Sequence, residues 1–81
     1  MNAIKIVHIE WIDSQAEIGW EPFTHTDDFD LCHTVGFLLA ETDHYAIVAH
    51  SYDPATEEWN GRISIPLCAI KDVRTLCRIK I

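Results

Sequence analysis

Hydrophobic and polar residues alternate along most of this chain, with the period of a β-strand rather than that of a helix. Residues 3–13, AIKIVHIEWID, alternate at period two, which predicts a strand with both faces partly covered. Residues 33–41 and 45–51 are two more such runs, and a short acidic turn joins them. This arrangement predicts a β-hairpin with one buried face. The side chains expected on that face are Val35, Phe37, Leu39, Tyr45 and Ile47.

The second half of the chain predicts two further strands. Residues 52–61 are polar and contain two turn signals, so we expect a connection there. Residues 62–66, RISIP, are a short strand that ends at a proline, which cannot donate to a ladder. Residues 67–70 have the length of one 3₁₀ turn. Residues 71–81 form the fifth predicted strand, with one apolar face and one mostly basic face.

A long loop separates the first strand from the hairpin. Residues 14–30, SQAEIGWEPFTHTDDFD, have no lasting period, and a loop of this length in a small domain is usually functional or folded back on itself. We expect Trp20 and Phe23 to anchor the loop to the sheet. The alternative is that these aromatic side chains are exposed and bind a partner.

These elements predict an all-β fold in a single domain, residues 1–81. A small sheet removes its exposed edges by closing into a barrel. Gly36, inside the second strand, permits the sharp bend or bulge that closure requires. The expected architecture is a five-stranded small barrel, with a long loop after strand 1 and a short 3₁₀ turn before strand 5.

Charge is unevenly distributed along the chain. The net charge is −7, and no Lys or Arg occurs between Lys5 and Arg62, a stretch that holds twelve of the thirteen acidic residues. An acidic body repels phosphate backbones, which disfavours broad nucleic-acid binding. The basic C-terminal part could attract the acidic body of a second copy. A charged surface that only maintains solubility is the simpler interpretation.

The histidines and cysteines do not have the spacing of a metal site. His44 and His50 share a face of the third strand but lie about 20 Å apart. Cys32 and His33 are adjacent and therefore point to opposite faces. No metal and no cofactor are predicted. We expect the three cysteines to be buried, reduced thiols.

Catalytic patterns are also missing from the sequence. Asp27, Asp28 and Asp30 form a charge cluster rather than a spaced pair of carboxylates. There is no glycine-rich phosphate loop and no nucleophile elbow. We therefore predict that the protein is not an enzyme. No apolar run approaches the roughly 18 residues that cross a bilayer, and the N-terminus lacks the apolar centre of a signal peptide, so a cytoplasmic protein is expected.

Part of the chain resembles the Sm-like family, whose fold is an SH3-like barrel. The likeness covers Val35–Leu76: the run from Val35 to Leu38 is similar to the family's Gly-x-Leu strand, and Cys68-Ala69-Ile70 is similar to its turn into the last strand. The resemblance implies the fold. The family's RNA-reading asparagine is absent, because Tyr45 and Ala46 stand at that place.

A second resemblance covers nearly the whole chain. The strings VHIEWIDS, CHTVGFLLAE, WNGRISIP and AIKDVRTL are similar to short proteins encoded by phages and prophages. That group carries no established activity, so the resemblance implies a source rather than a mechanism.

The leading functional expectation is a non-enzymatic phage or prophage accessory module that binds a host or phage protein, with inhibition or modulation of a host system as one form. Its contact residues are expected in the acidic loop: Glu17, Trp20, Glu21, Phe23, Asp27, Asp28 and Asp30. A solvated loop with two core anchors is the alternative for that segment. The alternative function is an Sm-like homo-oligomeric ring that binds a nucleotide or short RNA at subunit junctions. The residues for that function are Arg62, Lys71, Arg74 and Arg78.

Overall fold

The structure, a computed structural model, describes residues 3–13, 20 and 30–80. These residues form antiparallel strands and a single 3₁₀ turn, which confirms the all-β prediction. The elements are β1 (Ala3–Asp13), β2 (Asp30–Glu41), β3 (Tyr45–Ala49), β4 (Ser51–Asp53), β5 (Glu58–Asn60), β6 (Ile63–Pro66), the 3₁₀ turn η1 (Leu67–Ala69) and β7 (Ile70–Lys80).

Five of the strands form one antiparallel sheet in the order β6-β3-β2-β1-β7. Strands β4 and β5 form a separate two-stranded hairpin. β6 and β7 are the two edges of the large sheet, and in the described part of the chain they do not pair with each other. The sheet is therefore open along its two edge strands.

The predicted element positions are mostly confirmed. β1 has the predicted bounds, and the 3₁₀ turn occurs where its length suggested. The turn between β2 and β3 is closed by Thr42, whose hydroxyl accepts hydrogen bonds from the backbone N–H groups of His44 (3.2 Å) and Tyr45 (3.1 Å). The β4–β5 hairpin was missed, because two three-residue strands are too short to show a clear alternation.

The core lies on the inner face of the sheet. Its buried residues come from strands that are not all neighbours, and they are Val7, Ile9, Ala46, Val48 and Ile65. Strands β1 and β6 are three positions apart in the sheet, which in a flat sheet would separate them by about 14 Å. Pro66 at the end of β6 and Ile70 at the start of β7 are four residues apart, so at most about 14 Å separates them. In a flat sheet the four strand spacings between β6 and β7 would be about 19 Å. The sheet therefore curves, and its inner face is concave.

The prediction of which hairpin face is buried is wrong. Val35 is 55% exposed and Tyr45 is 40% exposed, whereas Gly36, Ala46 and Val48 are buried. Alternation separates the two faces of a strand, but both faces of this hairpin are apolar. The other three predicted residues, Phe37, Leu39 and Ile47, are half-buried.

Gly36 has a packing role as well as a position in a bent strand. A Cβ atom at this residue would lie 2.5 Å from the carbonyl oxygen of Ala49 and 2.7 Å from Cγ1 of Val48. Real Cβ atoms do not approach other atoms so closely. Glycine therefore lets β3 lie tightly against β2.

Strand β7 does not have the single apolar face that the sequence predicted. Register shifts against β1 occur between Ile6 and Val7 and again between Glu10 and Trp11. Because of the first shift, Thr75 pairs with Val7 on the inner face and Cys77 pairs with Ile6 on the outer face. The two apolar runs of β7 therefore lie on opposite faces. Every residue from Lys71 to Lys80 is exposed.

The structure bears on two further predictions, the lack of a membrane-spanning segment and the burial of the cysteines. In residues 3–13, 20 and 30–80 no helix is long and apolar enough to cross a bilayer. The expectation of buried thiols is wrong for Cys68 and Cys77, which are exposed, while Cys32 is half-buried.

Candidate functional site

The acidic loop predicted to bind a partner leaves and rejoins the sheet at one end of the β1–β2 ladder. Asp30 is the first residue of β2, and its Cα partner is Asp13, the last residue of β1. Most of the loop residues proposed for binding lie outside the described residues. These are Glu17, Glu21, Phe23, Asp27 and Asp28.

Trp20 is the loop residue whose exposure is described. The expectation that it anchors the loop to the sheet is wrong, because its side chain is fully exposed. An exposed tryptophan leaves up to about 250 Å² of mostly apolar surface in water. Tryptophan is also enriched among the residues that dominate binding energy at protein interfaces. The exposure of Trp20 thus favours the alternative, an aromatic side chain available to a partner.

The four basic residues of the alternative site do not form one cluster within a subunit. Arg62 precedes β6 at one edge of the sheet, whereas Lys71, Arg74 and Arg78 lie on β7 at the other edge. Arg74 is paired with His8 on the outer face. Arg78 is paired with Lys5, which has the parity of the inward-facing residues of β1.

Arg74 is already engaged by a neighbour on its own strand. Its Nε donates a hydrogen bond to Oδ2 of Asp72 at 3.0 Å, and both side chains are largely exposed. The pair neutralises one of the cations that were assigned to ligand binding. Exposed ion pairs contribute little to stability, so this contact leaves Arg74 able to exchange partners.

A polar cluster that sequence reasoning missed lies on the outer face of the sheet. Nε2 of His8 and Nδ1 of His33 are 2.9 Å apart, and Oε1 of Glu10 is 3.9 Å from Nδ1 of His33. The two imidazole rings are nearly parallel, at 17°, with centres 5.1 Å apart. Their nitrogens are much closer than their centres, so the rings meet edge to edge. One of the two nitrogens donates its N–H, and the other accepts that hydrogen bond; the ring tautomers decide which is which.

The strand register explains this cluster. Glu10 is the Cα partner of His33, and His8 lies two residues before Glu10 on the same face of β1. On the other side of β1, Asp72 pairs with Glu10 and Arg74 pairs with His8. The sequence contains the signal His8-x-Glu10, but the contribution of His33 depends on the β1–β2 register, which alternation alone does not fix.

The cluster does not have the geometry of a metal site. Within the described ranges, no group of three His, Cys, Asp or Glu side chains is placed to hold a metal ion. The facing nitrogens of His8 and His33 bond each other instead of converging on a common point. The arrangement links a half-buried ring and an exposed ring by one hydrogen bond.

A second feature is the β4–β5 hairpin. Tyr52 and Trp59 are opposite each other with ring centres 4.4 Å apart, and Phe37 of β2 meets Trp59 edge-on at 5.3 Å. These contacts fix the hairpin against the outer face of the sheet. A shallow cleft of about 410 Å³ follows the hairpin. It is lined by Ser51, Tyr52, Asp53, Thr56, Glu58, Trp59 and Asn60.

A serine–histidine contact occurs at the base of the same hairpin. Nδ1 of His50 and Oγ of Ser51 are 2.7 Å apart, and both residues are exposed. The ring of His50 lies against Gly61, where any side chain would collide with it. A nucleophilic serine needs a base that is itself oriented by a third group. In the described residues the His50 ring makes this one hydrogen bond, so the pair is incomplete as a catalytic unit.

Comparison with known proteins finds no matching family model, no matching curated protein and no matching solved structure. The resemblances to the Sm-like family and to short phage proteins therefore stay predictions.

Proposed function

We propose that the protein is a non-enzymatic accessory module that acts through protein–protein contacts made by its acidic loop. The observation that carries this proposal is the full exposure of Trp20. A tryptophan side chain exposed to water lacks the favourable free energy of burying its apolar surface. A partner that covers the side chain supplies that free energy on binding.

The negative charge of the loop also supports a binding role for the surface around Trp20. In the sequence, acidic residues flank Trp20 on both sides, and the loop contains no Lys or Arg. An exposed aromatic residue in an acidic segment fits a basic protein surface that presents an apolar pocket. Complementary charge would mainly raise the association rate, and the tryptophan would supply most of the affinity.

The proposal extends to fold and source. The concave inner face and the 3₁₀ turn between β6 and β7 support assignment of the sheet to an SH3-like or Sm-like small barrel. The resemblance to phage and prophage proteins supports action in the host cytoplasm on a host or phage protein.

The test uses the tagged protein as bait in host lysate, with each captured protein quantified. The change Trp20→Ala is expected to reduce a specific partner at least tenfold, because it removes the central apolar contact. The matched control is Leu76→Ala, which removes an exposed apolar side chain from β7. Retention of every partner by the Trp20 variant, and by a variant with Asp27, Asp28 and Asp30 reversed to Lys, would contradict the proposal.

The alternative function is an Sm-like ring that binds a nucleotide or short RNA. It is favoured by the two sheet edges, since β6 of one copy beside β7 of the next would bring Arg62 close to one of the basic residues of β7. Bound nucleotide would raise the ratio of absorbance at 260 nm to that at 280 nm in the purified protein. Binding through phosphate contacts would also weaken steeply with salt. A low ratio together with salt-insensitive binding excludes this alternative.

A further inference from the structure

One edge of the large sheet is a long strand with an open side. β7 runs from Ile70 to Lys80, and within residues 3–13, 20 and 30–80 it pairs with β1 alone. A strand at a sheet edge presents a row of unpaired backbone N–H and C=O groups. An extended peptide can add to such an edge as a further strand, held by main-chain hydrogen bonds.

The C-terminal part of this edge carries positive charge on the inner face of the sheet. Lys5 of β1 has the parity of the buried Val7, and it is the Cα partner of Arg78. Lys80 lies two residues beyond Arg78 on the same face. The three cations are exposed, and none forms an ion pair with an acid in the described part of the chain. Lys5, Arg78 and Lys80 are called the basic end below.

Two cations of the basic end repel each other. Lys5 and Arg78 are directly opposed on neighbouring strands, and like charges in such positions destabilise a sheet. Glu41, at the end of β2, is exposed and makes no ion pair with them. Asp72, the acid of β7, is bonded to Arg74. Carboxylates from another molecule would therefore relieve this repulsion.

The outer face of the same segment is apolar. Cys77 and Ile79 are the Cα partners of Ile6 and Ile4 on that face, and both β7 side chains are exposed. The first register shift against β1 leaves Leu76 without a partner, so the regular alternation of this segment begins at Cys77. Residues 77–80 thus present apolar side chains on the outer face and cations on the inner face.

We propose that residues 77–80 of β7 bind an extended segment of another protein in which acidic and apolar residues alternate. The segment pairs with the open edge as an additional strand. Directly opposed residues of paired strands share a face, so its acidic side chains meet Arg78 and Lys80 on the inner face. Its apolar side chains lie beside Cys77 and Ile79 on the outer face.

The two parts of this contact make different contributions. Main-chain hydrogen bonds give affinity for an extended segment, and the side-chain positions select its sequence. The cations of the basic end also exclude a basic segment, because it would place like charges opposite each other.

This contact goes beyond the proposed function, because it uses a different surface. The acidic loop leaves β1 after Asp13, eight residues from Lys5, which is about 26 Å along the strand. The two surfaces therefore bind independently. Capture of a Trp20-dependent partner and binding at the basic end are tested, and can fail, separately.

The experiment measures the binding of a fluorescein-labelled peptide, Val-Glu-Val-Glu-Val-Glu, by fluorescence anisotropy in 0.15 M NaCl. We expect the wild-type chain to bind it. A peptide of the same composition in two blocks, Val-Val-Val-Glu-Glu-Glu, should bind at least tenfold more weakly. The block peptide has the same charge, but it cannot place its carboxylates on one face of a strand.

Charge reversal in the protein tests the role of the basic end. The variant Arg78→Glu with Lys80→Glu should bind the alternating acidic peptide at least tenfold more weakly. It should also gain binding of Val-Lys-Val-Lys-Val-Lys, an exchange of preference that damage to the fold does not produce. The matched control, Arg62→Glu with Lys71→Glu, makes the same change in net charge outside residues 77–80. This control should bind the acidic peptide like the wild type.

Strand pairing is tested with two N-methylated forms of the acidic peptide, one methylated on every Val nitrogen and the other on every Glu nitrogen. Alternate residues of a strand direct their N–H groups to the same neighbour, so at least one form should lose binding. The inference is overturned if the wild type does not bind the acidic peptide, if the reversed variant still binds it, or if both methylated forms bind like the parent. Binding of an oligothymidylate in place of the peptide would also overturn it, since the basic end would then recognise phosphate.

Discussion

Strands β3 and β7 have opposite roles in the folded chain. β3 has five residues, of which Ala46, Val48 and Ala49 are buried. β7 has eleven residues, and all of them after Ile70 are exposed. β3 has a neighbouring strand on each side, whereas β7 pairs with β1 alone and has two register shifts. Composition and position in the sheet act together: β3 (YAIVA) carries no charge and lies inside the sheet, whereas β7 carries five charged residues and lies at an edge.

β3 and β7 also differ in what they contribute to the protein. A short inner strand stabilises the domain, since its small and branched side chains fill the concave face. A long exposed edge adds little to the core and is open to contacts with other molecules. Its bulges and basic residues are also devices that discourage non-specific strand pairing.

The largest expected effect separates the two strands directly with one substitution. Val48→Ala should lower the free energy of unfolding by about 2–3 kcal/mol, because it removes buried methyl groups and leaves a cavity. Val73→Ala on β7 should lower it by less than about 1 kcal/mol, because that side chain is 41% exposed. Urea denaturation measures both. Equal losses would show that β7 is packed as firmly as β3.

The next effect concerns the close contact between β2 and β3. Gly36→Ala should cost about 1–3 kcal/mol, since the added methyl group would press against backbone atoms of Ala49 and the side chain of Val48. The neighbouring change Val35→Ala, at an exposed side chain, is the control and should be nearly neutral. A stable Gly36 variant in thermal unfolding would mean that β3 can move away from β2.

A smaller effect tests a hydrogen bond that crosses from β1 to β2. Nε1 of Trp11 donates to Oγ1 of Thr34 at 2.9 Å in a partly buried position. Trp11→Phe and Thr34→Val should each destabilise the domain, and a double-mutant cycle should give a coupling of about 0.5–1.5 kcal/mol. Additive losses would indicate that the bond is not formed in solution.

The smallest expected effect on stability concerns an ion pair on β7. The ion pair between Arg74 and Asp72 is exposed, so Asp72→Asn should change the free energy of unfolding by less than about 0.5 kcal/mol. The change also removes a like charge opposite Glu10, which offsets part of the loss. A loss above 1 kcal/mol in urea denaturation would show that this edge is more rigid than its exposure suggests.

The local pattern of apolar and polar residues was enough to locate most strands along the chain. It was not enough to tell which face of each strand is buried. The bounds of β1 and the 3₁₀ turn followed from period, length and the position of Pro66. The buried face of the hairpin did not follow, because Val35 and Tyr45 are as apolar as the residues that fill the core. Alternation gives two faces and does not state which one is concave.

The candidate sites differ in the same way. The charge asymmetry and the acidic composition of the loop could be read directly, since each depends on residue type along the chain. The contact of His8 with His33 joins residues 25 positions apart in the sequence, and it needs the register between β1 and β2. The opposed cations Lys5 and Arg78 likewise needed the register between β1 and β7.

The sequence by itself determined the all-β class, the positions of the five strands of the large sheet and the segregation of charge, because these depend on side-chain type and local spacing. Only the tertiary structure decided the concave face, the exposed edge and the placement of like charges at opposite ends of β1. Those features depend on strand order, bulges and register, and they are set by packing between residues that are distant along the chain.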